Sequence, residues 1–149
     1  KTTDGGTWWT KTGMVECAWP LAVDPVGTVY AGGDGMYKST DGGTSWTQIN
    51  TGLPCREQCD AIRAVTVDSA GNVYAGTRNN GVYMTTNGGT SWTQINTGLT
   101  DLFINALAVD STGNVYAGTI GGGVFTYTNT IPKSTPTPTN KVGKAGVPG

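Results

Sequence analysis

Short apolar stretches recur along this chain among the strand-forming residues Thr, Val, Trp and Tyr, and turns rich in glycine separate them. Such stretches between tight turns predict β-strands. An apolar first strand is expected at Leu21 to Val23, Ile62 to Val67 and Ile104 to Val109. A second follows at Thr28 to Gly32, Asn72 to Thr77 and Asn114 to Thr119, and a third at Gly35 to Lys38, Gly81 to Thr85 and Gly123 to Tyr127. The fourth is expected at Ser45 to Ile49, at Ser91 to Ile95 and, near the N-terminus, at Trp8 to Lys11. The fold class is all-β.

The turns repeat along with the strands. The sequence Asp-x-x-Gly-Asn/Thr-Val-Tyr-Ala-Gly starts at Asp24, Asp68 and Asp110, a period of 44 and then 42 residues. Periods of that length mark stacked supersecondary units. Each of these aspartates can accept hydrogen bonds from amides two residues on, and Gly27, Gly71 and Gly113 supply the positive φ that closes the hairpin. A second motif, Ser39-Thr40-Asp41-Gly42-Gly43-Thr44-Ser45-Trp46, recurs as Thr85-Thr86-Asn87-Gly88-Gly89-Thr90-Ser91-Trp92. In altered form it is also Thr2-Thr3-Asp4-Gly5-Gly6-Thr7-Trp8-Trp9. Four antiparallel strands per repeat describe one blade of a β-propeller.

The second motif resembles the Asp-box, or BNR repeat, found in sialidases, two-propeller xyloglucanases, sortilin-type receptors and photosystem II assembly factors. The resemblance covers residues 1–130 and implies three four-stranded Asp-box blades, a partial propeller. It also implies that Asp4, Trp9, Asp41, Trp46, Asn87 and Trp92 are structural, since the family's box is a peripheral turn rather than a catalytic site. A fourth copy is eroded: Asn129 aligns with Asn87, but Thr130-Ile131-Pro132 replaces Gly-Gly-Thr and no tryptophan follows. Residues 131–149 are rich in Pro and Thr, then in Gly and Lys, and read as a linker or tail.

Three blades do not close a circle, because propellers use four to eight. The favoured expectation is that further blades lie elsewhere in a longer chain, and the missing initiator Met points to processing or truncation. The competing one starts from the register of Lys1 with Thr126. The N-terminus then supplies the box and fourth strand that the third repeat lacks, and strand exchange with a second copy would close six blades.

Composition narrows the chemistry. The formal net charge is -1 with no block of like charge, so the basic surface needed by a nucleic-acid binder is missing. No apolar run is long enough to span a bilayer. Cys55 and Cys59 lie four apart in a loop that is four residues longer than its counterpart, and a local disulfide is expected there, which suits an extracytoplasmic location, secreted or at the cell surface. Cys17 is left over. No His is present, so no closed zinc site is expected, and no cofactor fingerprint occurs.

In an up-and-down blade the repeat-invariant turns share one end, and the loops that differ between repeats crowd the other. Candidate ligand-binding residues in those loops are Trp19, Asp34, Arg56, Glu57, Arg78, Asn79 and Asp101. Trp19 stands where the other repeats have Arg63 and Asn105. It could stack on a sugar ring or a peptide, against a favoured competing role in packing between blades. Tyr30, Tyr74 and Tyr116 recur in register and are expected to pack. The expected role is a scaffold or binding module that recognises a glycan or a protein. The alternative is part of a glycoside hydrolase, xyloglucanase-like or sialidase-like, whose catalytic acids lie mostly outside this segment. Identity of Gly42 to Leu53 with Gly88 to Leu99 favours the scaffold, because catalytic blades tend to diverge.

Overall fold

A computed structural model describes residues 5–6, 8–14, 17–54 and 61–129, all of them strands, turns and loops. Asp4, Cys55, Arg56, Glu57, Cys59 and residues 131–149 lie outside the described residues, and so does the disulfide expected between Cys55 and Cys59. Three antiparallel sheets follow one another along the chain, each in simple meander order. Sheet 1 contains β1 (Leu21–Val23), β2 (Val29–Gly32), β3 (Met36–Ser39) and β4 (Thr47–Gln48). Sheet 2 contains β5 (Ile62–Val67), β6 (Val73–Thr77), β7 (Val82–Thr85) and β8 (Thr93–Gln94). Sheet 3 has only β9 (Ile104–Val109), β10 (Asn114–Thr119) and β11 (Val124–Thr128).

The sheets stack through alternate faces, with sheet 2 between the other two. Tyr30 and Met36 of sheet 1 pack against Val65, Val73, Ala75 and Tyr83 of sheet 2 in one buried cluster. On the opposite face of sheet 2, Val82 packs with Ile104, Leu107 and Ala117 of sheet 3. Two glycines allow the close approach. A Cβ on Gly32 would meet the Ile62 side chain at 2.6 Å, and one on Gly76 would collide with Ile104. The middle sheet therefore carries apolar side chains on both faces, and every residue of β6 is buried.

One end of the stack is made of invariant turns. The Asp68 carboxylate is buried and accepts from the amides of Ala70 and Asn72, from the Asn72 side chain and from the Tyr74 hydroxyl. Burial, with the Asp68 charge next to it, pushes the Tyr74 phenol up to about 12. Asp110 repeats the arrangement, and hydrogen bonds from Thr112 and Asn114 hold its carboxyl well below the usual carboxylate range.

The Asp-Gly-Gly turns work the same way at this end. Asp41 accepts from the Ser39 hydroxyl and from the amide and hydroxyl of Ser45. These bonds lower its pKa from 3.8 to about 2. Asn87 reproduces the geometry with one oxygen: its Oδ1 accepts from Thr85 and the Ser91 amide, while its Nδ2 donates to Ser91 Oγ.

Several expectations need correction. Residues 8 to 11 form no strand, because among the described residues no sheet edge pairs with them; farther along, Gly13 donates its amide to the Gly43 carbonyl at 2.9 Å. Trp9 is consequently 89% exposed instead of packed like a box tryptophan, and Trp46 is only half-buried. Trp92 does pack: it is 5% exposed, and its indole N–H donates to the Ile49 carbonyl of sheet 1 at 2.7 Å. The fourth strands shrink to two residues each, since the chain leaves the sheet at Ile49 and Ile95, whose amides are held by Met36 and Val82. Tyr116 is exposed, unlike its repeats Tyr30 and Tyr74, because no further sheet covers that face.

Candidate functional site at the loop end

The end opposite the invariant turns is formed by the starts of the first strands β1, β5 and β9 and by the loops after β2, β6 and β10. Backbone hydrogen bonds stitch it together across sheets. The Ile62 amide donates to the carbonyl of Gly33 in the loop after β2, and the amide of Gly81, just before β7, donates to the Leu102 carbonyl that precedes sheet 3.

Bulges set the side chains here. In β5 the register shifts between Ile62 and Ala64, leaving Arg63 without a cross-strand partner, and β9 shifts opposite Gly118 and Thr119. Sheet 1 shows the same feature, where the Trp19 amide donates to Gly32 O while the Gly32 amide donates to Pro20 O. A bulge re-aims the extra residue away from the pleat. Ile62 thus stays buried while Arg63 is exposed.

Arg63 so turned lies in a row of aromatic, cation and aromatic with Trp19, ahead of β1, and Phe103, ahead of β9. The Arg63 guanidinium lies 5.9 Å from the Trp19 ring centroid and 5.6 Å from that of Phe103. Both distances fall within the range of a cation–π contact. Trp19 and Arg63 remain exposed, and Phe103 is half-buried.

The other candidates divide by what they already hold. Asp101 Oδ1 accepts from the Phe103 amide, and Oδ2 accepts from the amides of Gly121 and Gly122 at 2.7 and 2.8 Å. Those bonds, the Phe103 amide first, lower its pKa, so the carboxylate anchors the 120–122 loop beside the entry to sheet 3. Asp34 and Arg78 are exposed in the loops after β2 and β6, with Asn79 next to Arg78. Arg56 and Glu57 lie outside the described residues. Among the described residues no group of three His, Cys, Asp or Glu could hold a metal ion. Cys17 is an exposed free thiol.

Sequence reasoning singled out Trp19 and missed its partnership. Arg63 was visible as the residue in register with Trp19, but Phe103 falls off the repeat register and reaches Arg63 only through the shape of the loop before β9.

No family model and no curated protein matches the chain. Solved structures do. Two structures of the extracellular domain of BT4673 from B. thetaiotaomicron, a hybrid two-component system in one description and a one-component system in the other, superpose with TM-scores of 0.57 and 0.58. Identity is 20% and 19% over 73% and 74% of this chain, which spans 15% of the length of each. The likeness is one of fold: a β-rich segment of a much larger extracellular domain.

Proposed function

We propose that the three sheets are Asp-box blades of a β-propeller and that their loop end is a binding surface for a glycan or a protein. The observation that carries this reading is the row of exposed Trp19, exposed Arg63 and half-buried Phe103, in which bulges turn Trp19 and Arg63 outward and the loop before β9 brings Phe103 to Arg63. An exposed indole offers an apolar face to the C–H side of a sugar ring, and a guanidinium beside it offers several donors in a fixed plane to hydroxyls or a carboxylate. An extracytoplasmic setting goes with this reading and is supported by the extracellular origin of the structurally similar domains.

No particular observation favours a hydrolase. Acid–base cleavage of a glycoside needs two carboxylates flanking the bond. Among the described residues the loop end holds Asp34 and Asp101, and Asp101 is committed to three backbone amides.

A glycan array followed by titration tests the proposal. Trp19→Ala and Arg63→Ala should each weaken binding of the best ligand by about tenfold or more. Asp41→Asn, at the opposite end, should leave it unchanged. Equal loss from all three variants, or hydrolysis of the ligand by the chain, would refute the reading.

A further inference from the structure

The contact between sheets 2 and 3 lacks a part that the contact between sheets 1 and 2 has. In the latter, Trp92 fills the space bounded by Ile49, Leu53, Met36, Val73, Ala75 and Tyr83. Shifted one repeat along, those positions are Ile95, Leu99, Val82, Val115, Ala117 and Phe125. These residues line a cavity of about 90 Å³. Ser134 stands in the register of Trp92, so the third repeat brings no indole of its own.

Two further gaps lie beside this one. Among the described residues β11 has β10 on one side and no strand on the other, whereas β3 and β7 each carry a short fourth strand. On the outer face of sheet 3, Val124 is 73% exposed where its equivalent Val82 is 3% exposed.

The N-terminal segment has the complementary features. Trp9 occupies the register of Trp46 and Trp92 and projects into solvent. The residues after it already lie as a preceding repeat would. A Cβ on Gly43 would meet Thr12, as one on Gly89 would meet Ile49, so Thr12 stands against sheet 1 as Ile49 stands against sheet 2. The outer face of sheet 1 is also open, with a depression of about 620 Å³ lined by Met14, Leu21, Val29 and Trp46. Sheet 2 separates sheets 1 and 3 within one chain, so the segment is offered to another.

We propose that Trp9 of one copy seats in the cavity between sheets 2 and 3 of a second copy, joining the two head to tail. Thr10 and Lys11 extend the recipient's third sheet, pairing with Thr126 and Phe125 as Thr93 and Gln94 pair with Met84 and Tyr83. The indole N–H meets the Ile95 carbonyl, as Trp92 meets that of Ile49. The outer face of sheet 3 then covers that of the next copy's sheet 1. A heterologous contact of this kind closes into a ring only if its rotation permits. Closure by two copies, as six sheets, rests on the propeller reading, while the seating of Trp9 does not.

Sedimentation velocity on the whole chain tests it, with Trp9→Ala and, as a control on the neighbouring exposed indole, Trp8→Ala. The expected result is a two-chain species. Its dissociation constant should rise by about 30-fold or more in Trp9→Ala, with Trp8→Ala nearly unchanged. Because Trp9 is exposed in the single chain, the circular dichroism of Trp9→Ala should match wild type. The Trp9→Ala chain should still bind a peptide of residues 5–14, and that peptide should fail once its own Trp9 is alanine. A monomer at all concentrations overturns the proposal, as does a dimer indifferent to Trp9→Ala. Open-ended oligomers dissolved by Trp9→Ala uphold the Trp9 contact and overturn closure as a six-sheet propeller.

Discussion

At the scale of single residues, Asp24, Asp41, Asp68, Asp101 and Asp110 each hold backbone amides. Asp41 does so with a folded-state pKa of about 2, below its ordinary 3.8. A depressed carboxyl adds stability that is complete above pH 4 and is lost as pH falls through about 2. Asp41→Asn should therefore flatten the acid limb of the unfolding curve between those values while leaving stability at pH 7 near wild type, since Asn87 shows that an amide closes the same turn. Chemical denaturation across that pH range checks both halves. The tryptophans contrast in the same way. Trp92→Ala removes a buried ring and orphans the Ile49 carbonyl, and should cost about 3–5 kcal/mol. Trp9→Ala should cost less than about 0.5 kcal/mol in the dissociated chain. Sequence placed both residues in one motif; only the neighbouring sheet decides which of them is buried.

At the scale of elements, the first strand of each sheet was legible to the residue. β1, β5 and β9 match the apolar runs because both of their faces, or the face toward the next sheet, need apolar cover. The fourth strands were legible only as positions. Their length depends on where the chain leaves the sheet to anchor the next repeat, and residues 8 to 11 form no strand with the sheets described. The loop-end row escaped sequence analysis because bulges shift register by one residue, turning Arg63 outward between two buried neighbours. Close packing between sheets gives a sharper test than strand length. Gly76→Ala forces a Cβ into Ile104 and should cost about 1–3 kcal/mol, with a loosened contact between sheets 2 and 3. Gly118→Ala, whose Cβ would meet nothing nearer than the Ala106 side chain at 3.6 Å, should be tolerated. Paired urea titrations of the two variants decide this.

At the scale of the molecule, the repeat sets a division of labour. Invariant turns hold one end rigid, and at the other the loops vary around an arginine held between two rings. The three stacked sheets leave apolar residues exposed at each end, Leu21 and Val23 on sheet 1 and Val124 on sheet 3, and such faces are covered in a stable assembly. Thermal stability of the whole chain should therefore rise with protein concentration in wild type and stay flat in Trp9→Ala. Calorimetry over a hundredfold range of concentration would show the difference. The most direct measurement is a crystal structure of the whole chain. It should show six sheets around one axis, with Trp9 of each copy lodged between Ile95 and Ala117 of the other. Three sheets in an open arc, with that cavity empty and Trp9 in solvent, would contradict the account.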